Sequence, residues 1–199
     1  MLLLVACAPM RPQRPVGPAL PGEAAQALRC VDHWSLRGRA AFRMPGSSGS
    51  FRLNWQQQGD RYRLAFEGPL GAGAMRIEGD ASEVAVESKG ERRVYAAAPE
   101  IVLAQLLGYE LPVQSLRYWV LGLSDPHAGP ATWGSARADA GEPVLRQAGW
   151  TVRYEEWTRS RNTVSLPARL RLEREDIFLR MLIEHWDLDP AQPCAAGQS

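Results

Sequence analysis

The feature that most constrains this chain is an apolar–polar alternation with a period of two, running from Trp34 to about Tyr95. Phe51, Leu53 and Trp55 alternate with Arg52 and Asn54, and Tyr62, Leu64 and Phe66 with Arg61, Arg63 and Ala65. Met75 and Ile77, then Val84 and Val86, then Val94 continue the series. Successive side chains of a strand point to opposite faces, so this pattern puts the apolar set on one face of a sheet; a helix would need a period near 3.6. Pro45-Gly46-Ser47, Gly59-Asp60, Gly68-Pro69-Leu70-Gly71, Gly79-Asp80 and Lys89-Gly90 separate the runs and read as tight turns. The segment is a meander of antiparallel strands, apolar on one face and arginine-rich on the other.

One of those turns is unusual. Pro69 suits the second position of a turn, and Gly68, Gly71 and Gly73 permit a tight backbone, yet Leu70 occupies the tip. Turn tips usually carry polar residues. An apolar side chain there either folds back into the protein or meets something apolar outside it, and the loop alone leaves both open.

The period then changes. Pro99, Glu100 and Gly108 punctuate a helix over Ala98 to Gly108, with Leu103, Leu106 and Leu107 among its apolar residues. A second short helix over Gln114 to Leu121 puts Leu116, Trp119 and Val120 on one face. Two apolar helices inserted in a meander must cover something, and the sheet's apolar face is available. Strand patterns resume at Ala131-Thr132-Trp133, Val144-Leu145-Arg146, Trp150 to Tyr154, Leu166 to Leu172 and Ile177 to Leu188. Pro167 predicts an edge strand or a first strand position. Upstream, Ala24, Ala27, Leu28 and Val31 predict a short amphipathic helix over Glu23 to His33.

The N-terminus is of another kind. Leu4-Val5-Ala6-Cys7 resembles the lipobox that ends a bacterial lipoprotein signal peptide, in which the cysteine thiol takes a diacylglycerol. The basic n-region is missing and the apolar run is short, so a start upstream is expected. Pro9, Pro12, Pro15, Pro18 and Pro21 recur at every third position, which suits polyproline II. At about 3.1 Å per residue, such a tether holds a domain about 40 Å from Cys7. The expected division is 1–7 for the truncated signal, 8–21 for the tether, 22–190 for one binding domain and 191–199 for a tail.

Composition removes several classes of function. The net charge of +1 over 199 residues leaves no nucleic-acid footprint; Lys89 is the only lysine, and the basic charge is otherwise arginine. No run approaches the about 18 consecutive apolar residues of a spanning helix. Cys7, Cys30 and Cys194 lack zinc-ligand spacing with His33, His127 and His185, so no metal site or cofactor is expected. If Cys7 carries lipid, Cys30 and Cys194 remain as an even pair, and a disulfide between them fits an oxidising compartment. Gly46-Ser47-Ser48-Gly49 is not a nucleophile elbow, and the Gly68 segment lacks the dinucleotide pattern and lies between strands. The expectation is a protein that is not an enzyme.

The ordered set Arg37-Gly38, Phe51 through Gln57, Gly59 through Leu64, Pro69-Leu70-Gly71, Gly79, Leu111-Pro112-Val113 and Leu116 through Leu123 resembles the LolB family of outer-membrane lipoprotein receptors. The resemblance spans most of residues 34 to 187, and the proline tether and Cys7 complete the layout. It implies a mainly β fold: a half-open antiparallel β-barrel of about 11 strands, with short helices as a lid over a hydrophobic cavity. It implies a monomer, lipid-anchored through Cys7 at the outer membrane and facing the periplasm. Such a receptor takes lipoproteins from the periplasmic carrier LolA, shelters their acyl chains, and inserts them into outer-membrane lipid without nucleotide hydrolysis. Leu70, flanked by Pro69 and Gly71, is implied to project and promote insertion. Candidates for the cavity wall are Phe42, Phe51, Leu53, Trp55, Leu64, Phe66, Met75, Ile77, Leu103, Leu106, Leu107, Trp119 and Val120. A periplasmic lipid or glycolipid carrier of similar shape, or a structural envelope lipoprotein, would share much of this pattern.

Overall fold

The computed structural model describes residues 23–68, 73–107, 110–135, 141–159 and 164–189. Helix α1 (Glu23–Arg29) leads into β1 (His33–Met44), β2 (Ser47–Gln58), β3 (Arg61–Glu67), β4 (Met75–Gly79), β5 (Val84–Ser88) and β6 (Glu91–Tyr95). Helices α2 (Pro99–Leu107) and α3 (Val113–Trp119) interrupt the strands. The chain ends in β7 (Ala131–Ser135), β8 (Pro143–Gln147), β9 (Trp150–Arg159), β10 (Ser165–Arg174) and β11 (Ile177–Leu188). All the strands form one 11-stranded antiparallel sheet of order β6-β5-β4-β3-β2-β1-β11-β10-β9-β8-β7. Strands joined by short connections pair with one another, and the pairing of β1 with β11 joins the two wings. The helical segment separates β6 from β7, which form the two edges, so the half-open barrel takes the form of one open sheet.

The alternation sends Trp34, Leu36 and Ala40 of β1, Leu53 and Trp55 of β2, Leu64 of β3 and Ile77 of β4 to a buried inner face. They share one core with Leu170, Leu172, Met181 and Ile183 of the other wing, and with Val102, Leu103, Leu116 and Trp119 of α2 and α3. The helices therefore lie across the apolar face, as their composition requires. Where the wings meet, Trp34 packs on Trp55 at 5.1 Å and on Trp186 at 5.7 Å between ring centroids. Each fully buried large side chain contributes about 1.5–3 kcal/mol, so this face carries much of the fold's stability.

Two glycines from the ordered motif set serve backbone approach. A bulge shifts the β1–β11 register between Arg37 and Gly38, and a Cβ on Gly38 would collide with the carbonyl oxygen of Leu182. A Cβ on Gly79 would collide with the carbonyl oxygen of Glu83 across the β4–β5 turn. The Asp80 carboxylate closes that turn, accepting bonds from the backbone N–H groups of Ser82 at 2.8 Å and Glu83 at 3.1 Å.

Two expectations are corrected. Val94 faces out and is 56% exposed, because β6 pairs with β5 in a register that sets Tyr95 opposite Val84 on the inner face. Pro167 lies on neither an edge nor a first position: β10 runs between β9 and β11. A register shift against β9 between Pro167 and Arg169 accommodates the missing N–H, and the Pro167 carbonyl accepts the Trp186 indole N–H at 2.9 Å. Cys30 is disulfide-bonded. Cys7, Cys194, the proline tether and the 191–199 tail lie outside the described residues.

Candidate functional site

The inner face is closed at one end and open at the other. At the closed end Trp34, Trp55, Tyr62 and Val84 are buried. Phe42, Phe51, Phe66 and Met75 form a half-buried stripe at the other end, where β3 passes through residues 68–74 into β4. Phe42 and Phe51 stand 6.1 Å apart, Phe51 and Phe66 meet edge to face at 5.2 Å, and Phe66 pairs across the strands with Met75. Half-buried aromatic rings in a continuous row are an apolar surface that water touches, which is what an acyl chain would cover.

The helical cover is fastened unevenly. Gln147, 3% exposed, accepts bonds from the Trp119 indole N–H at 3.0 Å and the Asp125 N–H at 2.9 Å, and its amide donates to the carbonyls of Asp125 and Gly129. Ser115 donates to the buried Asp125 carboxylate at 2.6 Å. The Tyr154 hydroxyl donates to the Trp119 carbonyl at 3.0 Å, and full burial pushes its pKa far above the ordinary phenol value. These bonds pin α3 to the β8–β9 wing. By contrast α2 buries Val102 and Leu103 but exposes Ile101 at 54% and Leu106 at 44%, and its polar link to α3 is the Glu100 carboxylate accepting the Gln114 N–H at 2.9 Å. Below α2 the Tyr62 hydroxyl is buried with no hydrogen-bond partner among the described residues; desolvation, then Glu100 and Asp80, raise its pKa.

Of the candidate wall residues, Leu53, Trp55, Leu64, Ile77, Leu103, Trp119 and Val120 are buried and packed against one another. Phe42, Phe51, Phe66 and Met75 are half-buried, and Leu106 is exposed. Pro69, Leu70, Gly71 and the Leu107 side chain lie outside the described residues. A concavity of about 360 Å³ sits at the base of the 68–73 connection, between Phe66, Met75 and Gly73 on one side and Lys89 and Gly90 on the other. Among the described residues no cluster of His, Cys, Asp and Glu could hold a metal ion, and no helix is long and apolar enough to cross a membrane.

The family model described as "Outer membrane lipoprotein LolB" matches residues 32–186. The chain belongs to the LolB family. A LolB-family relative, the outer-membrane lipoprotein LolB of Alkalilimnicola ehrlichii, is 38% identical over 190 residues, covering 95% of this chain and 94% of the relative. That of Chromohalobacter salexigens is 36% identical, covering 82% of this chain and 74% of its own. Among solved structures, a putative outer membrane lipoprotein-sorting protein domain from Vibrio parahaemolyticus aligns with a TM-score of 0.52 at 8% identity, over 85% of this chain and 92% of that one. A DUF1329 family protein from Desulfovibrio piger aligns with a TM-score of 0.54 at 8% identity, over 85% of this chain and 91% of that one. At those identities the likeness shows the fold alone. Membership in the LolB family makes this an outer-membrane lipoprotein receptor of the Lol pathway, located at the outer membrane and facing the periplasm, and not an enzyme. It works in lipoprotein handling with a LolA-type partner.

The LolB motif Leu116 through Leu123 holds the buried Leu116 and Trp119 of α3 and the buried turn after them. Sequence reading missed the residues that fasten this motif, above all Gln147 and Asp125. The available signal was Gln147 itself, a polar residue two positions after Leu145 and therefore on the same, inward face.

Proposed function

We propose that this receptor, tethered through a lipid on Cys7, accepts a lipoprotein from its LolA-type carrier as a monomer and shelters the acyl chains against the inner face. The chains enter along Phe42, Phe51, Phe66 and Met75, and α2, fastened less than α3, moves aside to admit them. The observation that carries this reading is the open aromatic stripe ending beside the 68–73 connection, because it joins the apolar interior to the loop that bears Leu70. Each CH₂ taken out of water contributes about 0.8 kcal/mol, so a cargo with several chains strongly favours an apolar shelter over the periplasm. One leucine contributes about 1.5–3 kcal/mol, too little to anchor a protein but enough to bias a loop toward lipid at the moment of release.

The test is transfer from a carrier loaded with a triacylated lipoprotein. The parent protein should take cargo in solution and pass it to vesicles, whereas Leu70→Glu should take cargo and release little of it to vesicles. Normal delivery by Leu70→Glu would remove the role of the loop, and failure of the parent to take cargo would remove the receptor reading.

A further inference from the structure

The polar face carries a concavity of about 760 Å³ that the handling of acyl chains does not use. Arg37, Arg39, Arg52, Arg63 and Arg76 line it, on the adjacent strands β1 to β4. Neighbouring strands lie about 4.8 Å apart, so these guanidinium groups share one surface. Arg39 and Arg52 are direct cross-strand partners, like charges that Glu184, which also lines the groove, offsets at Arg39. Three of the arginines are satisfied within the protein: Arg39 by Glu184 at 2.7 Å, Arg63 by Glu78 at 3.1 Å and Arg76 by Glu87 at 3.7 Å. Arg37 and Arg52 are exposed and make no ion pair with any described residue.

The groove also has a definite position. Ala65, Glu67 and Arg76 line both it and the smaller concavity at the base of the 68–73 connection, where Lys89, the chain's only lysine, stands on the other wall. A loop that enters a bilayer would bring the end of the groove lined by Ala65, Glu67 and Arg76 toward the headgroups. We propose that the arginine groove binds phosphate groups of anionic lipid at the membrane surface and so orients the domain with its loop toward the bilayer. The assignment rests on the reading of that loop as the membrane-facing end. Guanidinium groups engage phosphate through paired N–H donors, and Arg37 and Arg52 have no ion-pair partner among the described residues. Continuity with the loop favours a lipid surface over an acidic protein as the occupant.

The experiment uses the full chain carrying Cys7→Ala, which removes the acyl anchor. It is sedimented with vesicles of phosphatidylcholine alone or of phosphatidylcholine mixed with phosphatidylglycerol. The protein should bind the anionic vesicles more tightly than the neutral ones, and salt should weaken that binding. Each basic side chain at an anionic surface contributes roughly fivefold, so adding Arg37→Gln and Arg52→Gln together should weaken binding roughly twenty-five-fold. The corresponding lysine pair should keep most of it, with the circular dichroism unchanged in both. Equal binding to the two vesicle types, or unweakened binding by the glutamine pair, would overturn the assignment. Uptake of cargo from a loaded carrier, measured without vesicles, tests the receptor reading separately. If the glutamine pair lost that uptake and kept vesicle binding, the groove would dock the carrier protein and the lipid assignment would fall.

Discussion

The two ends of the inner face are built from the same alternation on the same strands, yet they differ in what covers them. On β2, Trp55 is 2% exposed and its indole N–H donates to Gln57 at 3.0 Å, whereas Phe51, four residues away on the same face, is only half-buried against the core and stands between the rings of Phe42 and Phe66. The pattern of side chains places both inside. The helices and the opposite wing then decide which is sealed. A sheet can thus devote one end to holding the fold together and leave the other to a ligand.

Single substitutions on one strand can break this comparison. Trp55→Ala should cost about 3–5 kcal/mol in chemical denaturation, as expected for a fully buried indole. Phe51→Ala should cost about half as much, since part of the ring is already in water, yet should impair cargo uptake more than any loss of fold explains. Equal stability losses, or normal uptake by a folded Phe51→Ala protein, would erase the distinction between the ends.

The outer face supplies the contrast with the smallest effect. Glu78 holds its pKa below the usual carboxylate value, through hydrogen bonds from Arg92 and then Arg63. A carboxylate whose folded pKa is depressed adds stability above its unfolded pKa of about 4.3, and loses it as pH falls through the lower folded value. Because these pairs are near the surface, Glu78→Gln should cost only about 0.5 kcal/mol at neutral pH, and the gap to the parent should close in acid. Denaturation curves at neutral and acidic pH check this; a gap that persisted in acid would contradict it.

Most of this architecture was legible in the chain. The period-two runs located β1 to β5, Pro99 and Gly108 bracketed α2, and the apolar face of Gln114 to Leu121 marked α3 as a cover. The misses have a common physical origin. Val94 and Tyr95 exchange faces through a one-residue register that only pairing with β5 sets. Pro167 depends on a bulge against β9, and the Gln147 cluster joins residues up to 28 positions apart. Whether an inward aromatic is sealed or open also depends on which segments pack over it, and Phe51 and Trp55 look alike in sequence. The arginine-rich face was visible as a pattern, but not that Arg37 and Arg52, unlike their neighbours, lack an ion pair among the described residues.

In the proposed function, acyl chains lie on the inner face at its open end. Positions 51 and 52 of β2 are adjacent in the chain and point to opposite faces. A photoreactive side chain placed at each in turn, followed by cargo loading and illumination, compares the two faces on one strand. Cargo acyl chains should be labelled from position 51 and not from position 52; equal labelling, or labelling from position 52 alone, would contradict an acyl site on the inner face.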